Sequence, residues 1–169
     1  MNENFDSLQQ KAYDLAYQYE AERGSCPQAV LSAVLETVQI GDKHTIKAAD
    51  GLAGGTALSS EGTCGALVGG ILAIGTVVGR SYEAFSQGKK KRRVFQFAHQ
   101  LYERFEQEYG GALCKQVQED LFGQSYRLID PKEYQAFEQA GAHVDKCPSV
   151  AGNVAAWTVE ILKPFIKDQ

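Results

Sequence analysis

Cysteine is the residue type in this chain best able to do chemistry, and its four copies, Cys26, Cys64, Cys114 and Cys147, lie far apart. Two of them share a local signature, Ser25-Cys26-Pro27 and Lys146-Cys147-Pro148, each ahead of an apolar periodic run. Proline is favoured at the first helical position because the N–H it lacks would have no partner there. Both thiols are therefore expected at or beside a helix N-cap, facing free backbone N–H groups and the positive end of the helix dipole. Such a position favours thiolate over thiol, and thiolate is the form that binds metal or attacks a disulfide. Gly62-Thr63 places Cys64 in the first turn of another helix, and Cys114 follows the Gly110-Gly111 break.

No CxxC pair occurs, so zinc-ribbon and thioredoxin patterns are absent. Taken singly, each cysteine reads as a small buried hydrophobe. Placement at helix starts is what joins them: a group held by four thiolates carries excess negative charge, and converging helix N-termini would stabilise it. Glycines beside Cys64 would let backbone approach such a group closely. Among the histidines, His44, His99 and His143, the one expected near the sulfurs is His143, four residues before Cys147. His99 reads as a packed or surface residue of a long helix. Glu61 and Asp145 are the acids nearest the cysteines in sequence, and solvent exposure is their default reading. A serine–histidine–acid arrangement is not identifiable, and no glycine motif of Rossmann type falls in a strand–turn–helix context, so no nucleotide cofactor is expected.

Helices must position these thiols. Leu8, Ala12, Leu15, Ala16 and Tyr19 recur at three- and four-residue spacing, predicting an amphipathic helix from about 5 to 22 that Gly24 ends. A second helix starts at Pro27 and closes near Gly41; residues 45–52 predict a short helical turn, and 54–62 a glycine loop. The third helix, Cys64 to about Val78, contains Gly65, Gly69, Gly70 and Gly75, each costing roughly 1 kcal/mol against alanine. Close backbone approach would justify that cost; the β-branched content of 70–78 leaves a strand as the alternative. Further helices are expected at about 92–109, with Phe95, Ala98, Leu101, Tyr102 and Phe105 inward, at 114–123, from Asp130-Pro131 to about 140, and from Pro148 to about Leu162, closed by Pro164. The basic run Lys89-Lys90-Lys91-Arg92-Arg93 reads as a solvated helix start, with a phosphate or membrane patch as the alternative. The expected fold is all-α: a single-domain bundle spanning 1–169, of about seven helices, with a buried glycine-rich central helix.

A chain of 169 residues, 44% hydrophobic and 22% charged, suits one globular domain. Its net charge of −4 argues against nucleic-acid binding. The N-terminus carries no secretory signature. The uncharged stretch from Gly62 to Gly79 is shorter in its apolar part than the roughly 20 residues a membrane span needs. A cytoplasmic location is expected, where permanent disulfides are rare.

Several of these residues fall into a known pattern. Gly24-Ser25-Cys26 leads an apolar helix, a glycine loop surrounds Gly54-Gly55, and Cys64-Gly65-Ala66-Leu67-Val68-Gly69-Gly70 follows. Cys114 stands ahead of Leu121-Phe122-Gly123, and Cys147 opens the last helix. Over about residues 24–162 the chain resembles the redox-active family named for its C–GCAxxG–C–C cysteines. The family label spells Gly-Cys-Ala, whereas here the order is Cys64-Gly65-Ala66. The resemblance implies a small redox protein related to a domain of split-Soret cytochromes, with Cys26, Cys64, Cys114 and Cys147 as ligands of an iron–sulfur cluster, [2Fe–2S] or [4Fe–4S]. This chain lacks CxxCH, so no c-type haem is expected. A metal-free thiol–disulfide oxidoreductase with Cys26 as nucleophile is the main alternative, and a structural zinc-binding interaction module the third. The redox partner protein is unknown, and homodimerisation is left open.

Overall fold

The computed structural model describes residues 2–40 and 44–166, with side chains from Phe5 onward. Helix α1 (Asn2–Arg23) presents Ala12, Ala16 and Glu20 on one stripe, all fully buried. That stripe packs along α9 and α2. Gly24, at φ +67°, turns the chain out of α1, its N–H donating to the Glu20 carbonyl. Helix α2 (Cys26–Val38) is apolar on nearly every face and lies against α1, α4 and α9. It stops at Gln39 (φ 52°); the expected end at Gly41 lies outside the described residues.

Helix α3 (His44–Ala49) and a 3-10 turn (Asp50–Leu52) supply the short helical segment expected at 45–52. The loop after them departs from right-handed backbone. Gly54, Gly55, Thr56, Ala57 and Leu58 all have φ between +52° and +70°, and so does Ser60 at +62°. A run of left-handed residues that includes a β-branched threonine is costly and persists only where its surroundings determine it. Here the N–H groups of Ala57, Leu58, Ser60 and Gly62 donate to the carbonyls of Gly51, Ala53, Gly54 and Gly55.

Helix α4 (Gly65–Val78) takes the helical option for 70–78 and packs against α2, α6 and α9. A methyl group on Gly69 would lie 2.6 Å from the Pro27 carbonyl oxygen, and one on Gly70 2.6 Å from Leu101. Close approach thus accounts for these two glycines, while Gly75 has nothing within 4 Å.

Helix α5 (Tyr82–Ser86), which the sequence reading passed over, is one short turn capped by the Ser81 hydroxyl, which accepts from the Ala84 N–H. Helix α6 (Arg93–Tyr109) buries Leu101, Phe105 and Tyr109. Its inward register at the start runs through Val94, Phe97 and Ala98, so Phe95, expected inside, stands 72% exposed. Phe97 takes the inner place and meets the Phe165 ring edge-on at 5.5 Å.

Helices α7 (Cys114–Phe122) and α8 (Pro131–Gln139) follow, α8 capped by Asp130 as its sequence demands. A π-helical turn (Ala142–Lys146) runs into α9 (Cys147–Leu162), and a 3-10 turn containing Pro164 ends it. The described residues thus form nine α-helices, where about seven were expected, because α3 and α5 are separate short helices. Among them the single β feature is an isolated antiparallel bridge between Thr63 and Leu113. Two apolar clusters result. A large one joins α1, α2, α4, α6 and α9; a small one joins Cys114, Tyr126, Leu128, Phe137 and Ala142, with Phe122, Tyr134 and Cys147 against it.

Candidate redox site at the seam of two cores

The four cysteines arrive at the boundary between these clusters from four different helix starts. Cys64 caps α4, and Cys114 is the first residue of α7. The Thr63–Leu113 bridge ties the two together: the Cys64 N–H donates to the Ala112 carbonyl at 2.8 Å and the Cys114 N–H to the Gly62 carbonyl at 2.9 Å. The left-handed loop closes over this pair, since a methyl on Gly55 would sit 2.7 Å from Cys114 Cβ. Only glycine fits there, for its conformation and for its bulk.

Cys26 opens α2 behind Ser25, itself left-handed at φ 62°. Gly65 lets it approach α4: a methyl there would lie 3.3 Å from Cys26 Sγ and 2.8 Å from Pro27 Cδ. Cys147 opens α9, though not at a free helix end. The π turn before it is already helical, and the Cys147 N–H donates to the Ala142 carbonyl. The expected bare N-terminus at Lys146-Cys147-Pro148 is therefore filled from upstream.

All four thiols are free and line one cavity of about 70 Å³, together with Leu58, Phe122, Tyr134, Phe137 and His143. Among the described residues no lysine or arginine lines it. Cys64 and Cys114 are buried, while Cys26 and Cys147 keep part of their surface open. Among the described residues, no three of the Cys, His, Asp and Glu side chains close on a point as one metal ion would require.

Electrostatics overturn one expectation. Helix starts were expected to favour thiolates, yet burial pushes every thiol up. Cys64 rises to about 12, because burial and the neighbouring Cys114 outweigh the lowering effect of the nearby Ala66 and Leu67 N–H groups. Cys26 and Cys147 rise well above their ordinary value, first through burial, then through Glu20 and the other sulfurs. Cys114 rises less, since Gln118 Nε2 donates to its sulfur at 3.2 Å. Loss of hydration in a low-dielectric setting outweighs the partial charges of a helix end. Burial thus biases each of the four thiols toward its neutral form.

The acid that matters is Glu20, and the sequence reading missed it. It is fully buried, and neither carboxyl oxygen finds a hydrogen-bond partner. His143 Nε2 stands 3.5 Å away, while its Nδ1 meets Glu138 at 2.6 Å. Glu20 is the leading charged neighbour of both Cys26 and Cys147. The signal was present: Ala12, Ala16 and Glu20 share one four-residue register, and a charge on a buried stripe is the informative exception. Of the acids singled out from sequence, Glu61 is 68% exposed and pairs with Lys115, and Asp145 is exposed. His143 does border the sulfurs, whereas His99 pairs with Glu103 at the surface and His44 opens α3 away from the cavity lining.

The fold and the site together define an all-α protein whose four free cysteines border one small cavity. The chain belongs to the family described as "Putative redox-active protein (C_GCAxxG_C_C)", which matches residues 24–161. No curated protein and no solved structure matches it. Glu20 lies outside the matched region. None of the helices among the described residues is long and apolar enough to cross a membrane.

Proposed function

We propose that this redox-family protein holds an iron–sulfur cluster on Cys26, Cys64, Cys114 and Cys147. The observation that carries the reading is the gathering of all four thiols, from four helix starts, on a single cavity. The lining fits: four sulfurs and a histidine, with no lysine or arginine among the described lining residues, suit a group that contains cations, and the buried Glu20 carboxyl acts on two of the sulfurs.

Such a cluster, when bound, supplies one-electron exchange. The protein's own groups set the conditions. Phe122, Phe137 and Leu58 supply apolar walls, the Gln118 amide donates to the Cys114 sulfur, and the Ala66 and Leu67 N–H groups lie near that of Cys64. Neutral thiols must give up protons as they become ligands, which makes loading pH-dependent. The same neutrality weighs against Cys26 as a standing nucleophile of a metal-free thiol–disulfide enzyme, which needs thiolate at neutral pH.

Anaerobic reconstitution followed by a visible spectrum, with iron, sulfide and zinc counted on the same sample, tests the reading. Broad absorption bleached by dithionite, with iron and sulfide present, is expected, and Cys64→Ser should lose most of it. A colourless, metal-free protein after reconstitution, or normal iron and sulfide in Cys64→Ser, refutes it.

A further inference from the structure

The pole of the molecule away from the cysteines carries a second surface that the redox reading does not use. Residues 80–93 hold six of the chain's seventeen lysines and arginines and only one of its twenty-one acids, in a protein of net charge −4. Arg80, Lys89, Lys90, Lys91, Arg92 and Arg93 are all exposed, and none takes part in an ion pair among the described residues. Aromatic side chains stand among them: Tyr82 is 78%, Phe85 59% and Phe95 72% exposed. These are three of the five exposed large apolar side chains of the described residues.

The surface is built. Arg80 donates to the Lys89 carbonyl at 3.1 Å and lies over the Phe85 ring, and Lys91 Nζ donates to the Gly79 carbonyl at 3.0 Å. These bonds fold 79–91 into a knuckle beside the start of α6. Arg80, Lys90, Lys91, Arg92, Phe95 and His99 line a groove of about 650 Å³ there. The knuckle follows the C-terminal end of α4, whose other end Cys64 caps. At 1.5 Å per residue the helix separates the two by roughly 20 Å.

From this geometry we infer that the 80–95 surface docks the protein on an anionic lipid bilayer, with the cysteine pole facing away. Unpaired cations interleaved with exposed aromatic rings match a headgroup layer, where phosphates meet the lysines and arginines and the rings enter the interface. A bilayer touches one pole only. A nucleic-acid strand longer than the knuckle would meet the rest of the chain, which holds twenty acids against eleven lysines and arginines.

Co-sedimentation of the full chain with vesicles of phosphatidylcholine, with and without phosphatidylserine, tests the inference. Binding is expected only with phosphatidylserine, and added salt should release it. Lys89→Gln together with Lys90→Gln should weaken it by about 30-fold, at roughly fivefold per cation. Phe95→Ser should weaken it too, with unchanged circular dichroism in every variant. Equal binding to both vesicles, or undiminished binding by the folded double variant, overturns the inference. So does capture of a single-stranded oligonucleotide or an acidic polypeptide by a protein that ignores both vesicles.

Discussion

Alanine in place of Gly69 tests whether backbone contact holds α4 against the helix that carries Cys26. The new methyl would lie 2.6 Å from the Pro27 carbonyl oxygen, 2.9 Å from Val30 Cβ and 3.1 Å from Pro27 Cα. Two of these atoms are α2 backbone, so no side-chain rotation relieves the clash. Helix propensity favours the substitution by about 1 kcal/mol. Overpacking a closely fitted contact opposes it by about 1–3 kcal/mol, and movement of a helix puts this case at the upper end. The net expectation is a loss of about 1–2 kcal/mol, or about 2–8 °C in Tm for a chain of this size. Gly75→Ala is the matched control, since its methyl meets nothing within 4 Å and should gain about 0.5–1 kcal/mol. Urea unfolding of the reduced, metal-free proteins, compared at a common slope, gives both values. A Gly69→Ala protein at least as stable as the parent, or two variants that move together, would refute the close-approach argument. The consequence reaches the site, because Pro27 adjoins Cys26 and any displacement of α2 carries that sulfur away from Gly65.

Two other expectations concern the surroundings of the cavity. His143 is held above its ordinary value, first by its contact with the Glu20 carboxylate, 3.5 Å from Nε2, against the opposing effect of burial; its stabilisation is therefore complete below about pH 6.5 and fades as pH rises through the raised folded value. Urea midpoints measured from pH 5.5 to 8.5 should fall for the parent and flatten in Glu20→Gln, and parallel profiles would contradict the pairing. Ser60→Ala should cost about 1–3 kcal/mol, because the buried Ser60 hydroxyl donates to the Tyr126 carbonyl at 2.7 Å and accepts from the Leu128 N–H at 3.4 Å; an unchanged chemical-denaturation midpoint would show these bonds contribute nothing.

Most helices were legible because their signals are local. Asp130-Pro131, Gly24, Gly110 and Gly123 mark helix ends through backbone sterics and capping alone, and the structure places ends at each. The short elements were harder. Helix α5 has five residues, too few for an apolar period to register. Phe95 was misassigned because Phe95 and Phe97 offer competing registers, and the neighbouring Phe165, about seventy residues on, selects Phe97. The left-handed turn at 54–58 announces itself only as glycine, since its three non-glycine members are forced by bonds and contacts from outside.

The sequence by itself determined that this is a helical protein, that each cysteine stands at a helix start, and that His143 lies near Cys147; these follow from proline, glycine and apolar spacing, which act over a few residues. Tertiary structure alone decided that the four sulfurs share one cavity, that the Thr63–Leu113 bridge pairs Cys64 with Cys114, and that the buried charge of Glu20 acts on Cys26 and Cys147. It also set burial against the preference for thiolate expected at helix starts. A helix end acts on its own first turn, whereas hydration is lost to whatever the rest of the chain packs around the sulfur, and here that loss is the larger effect.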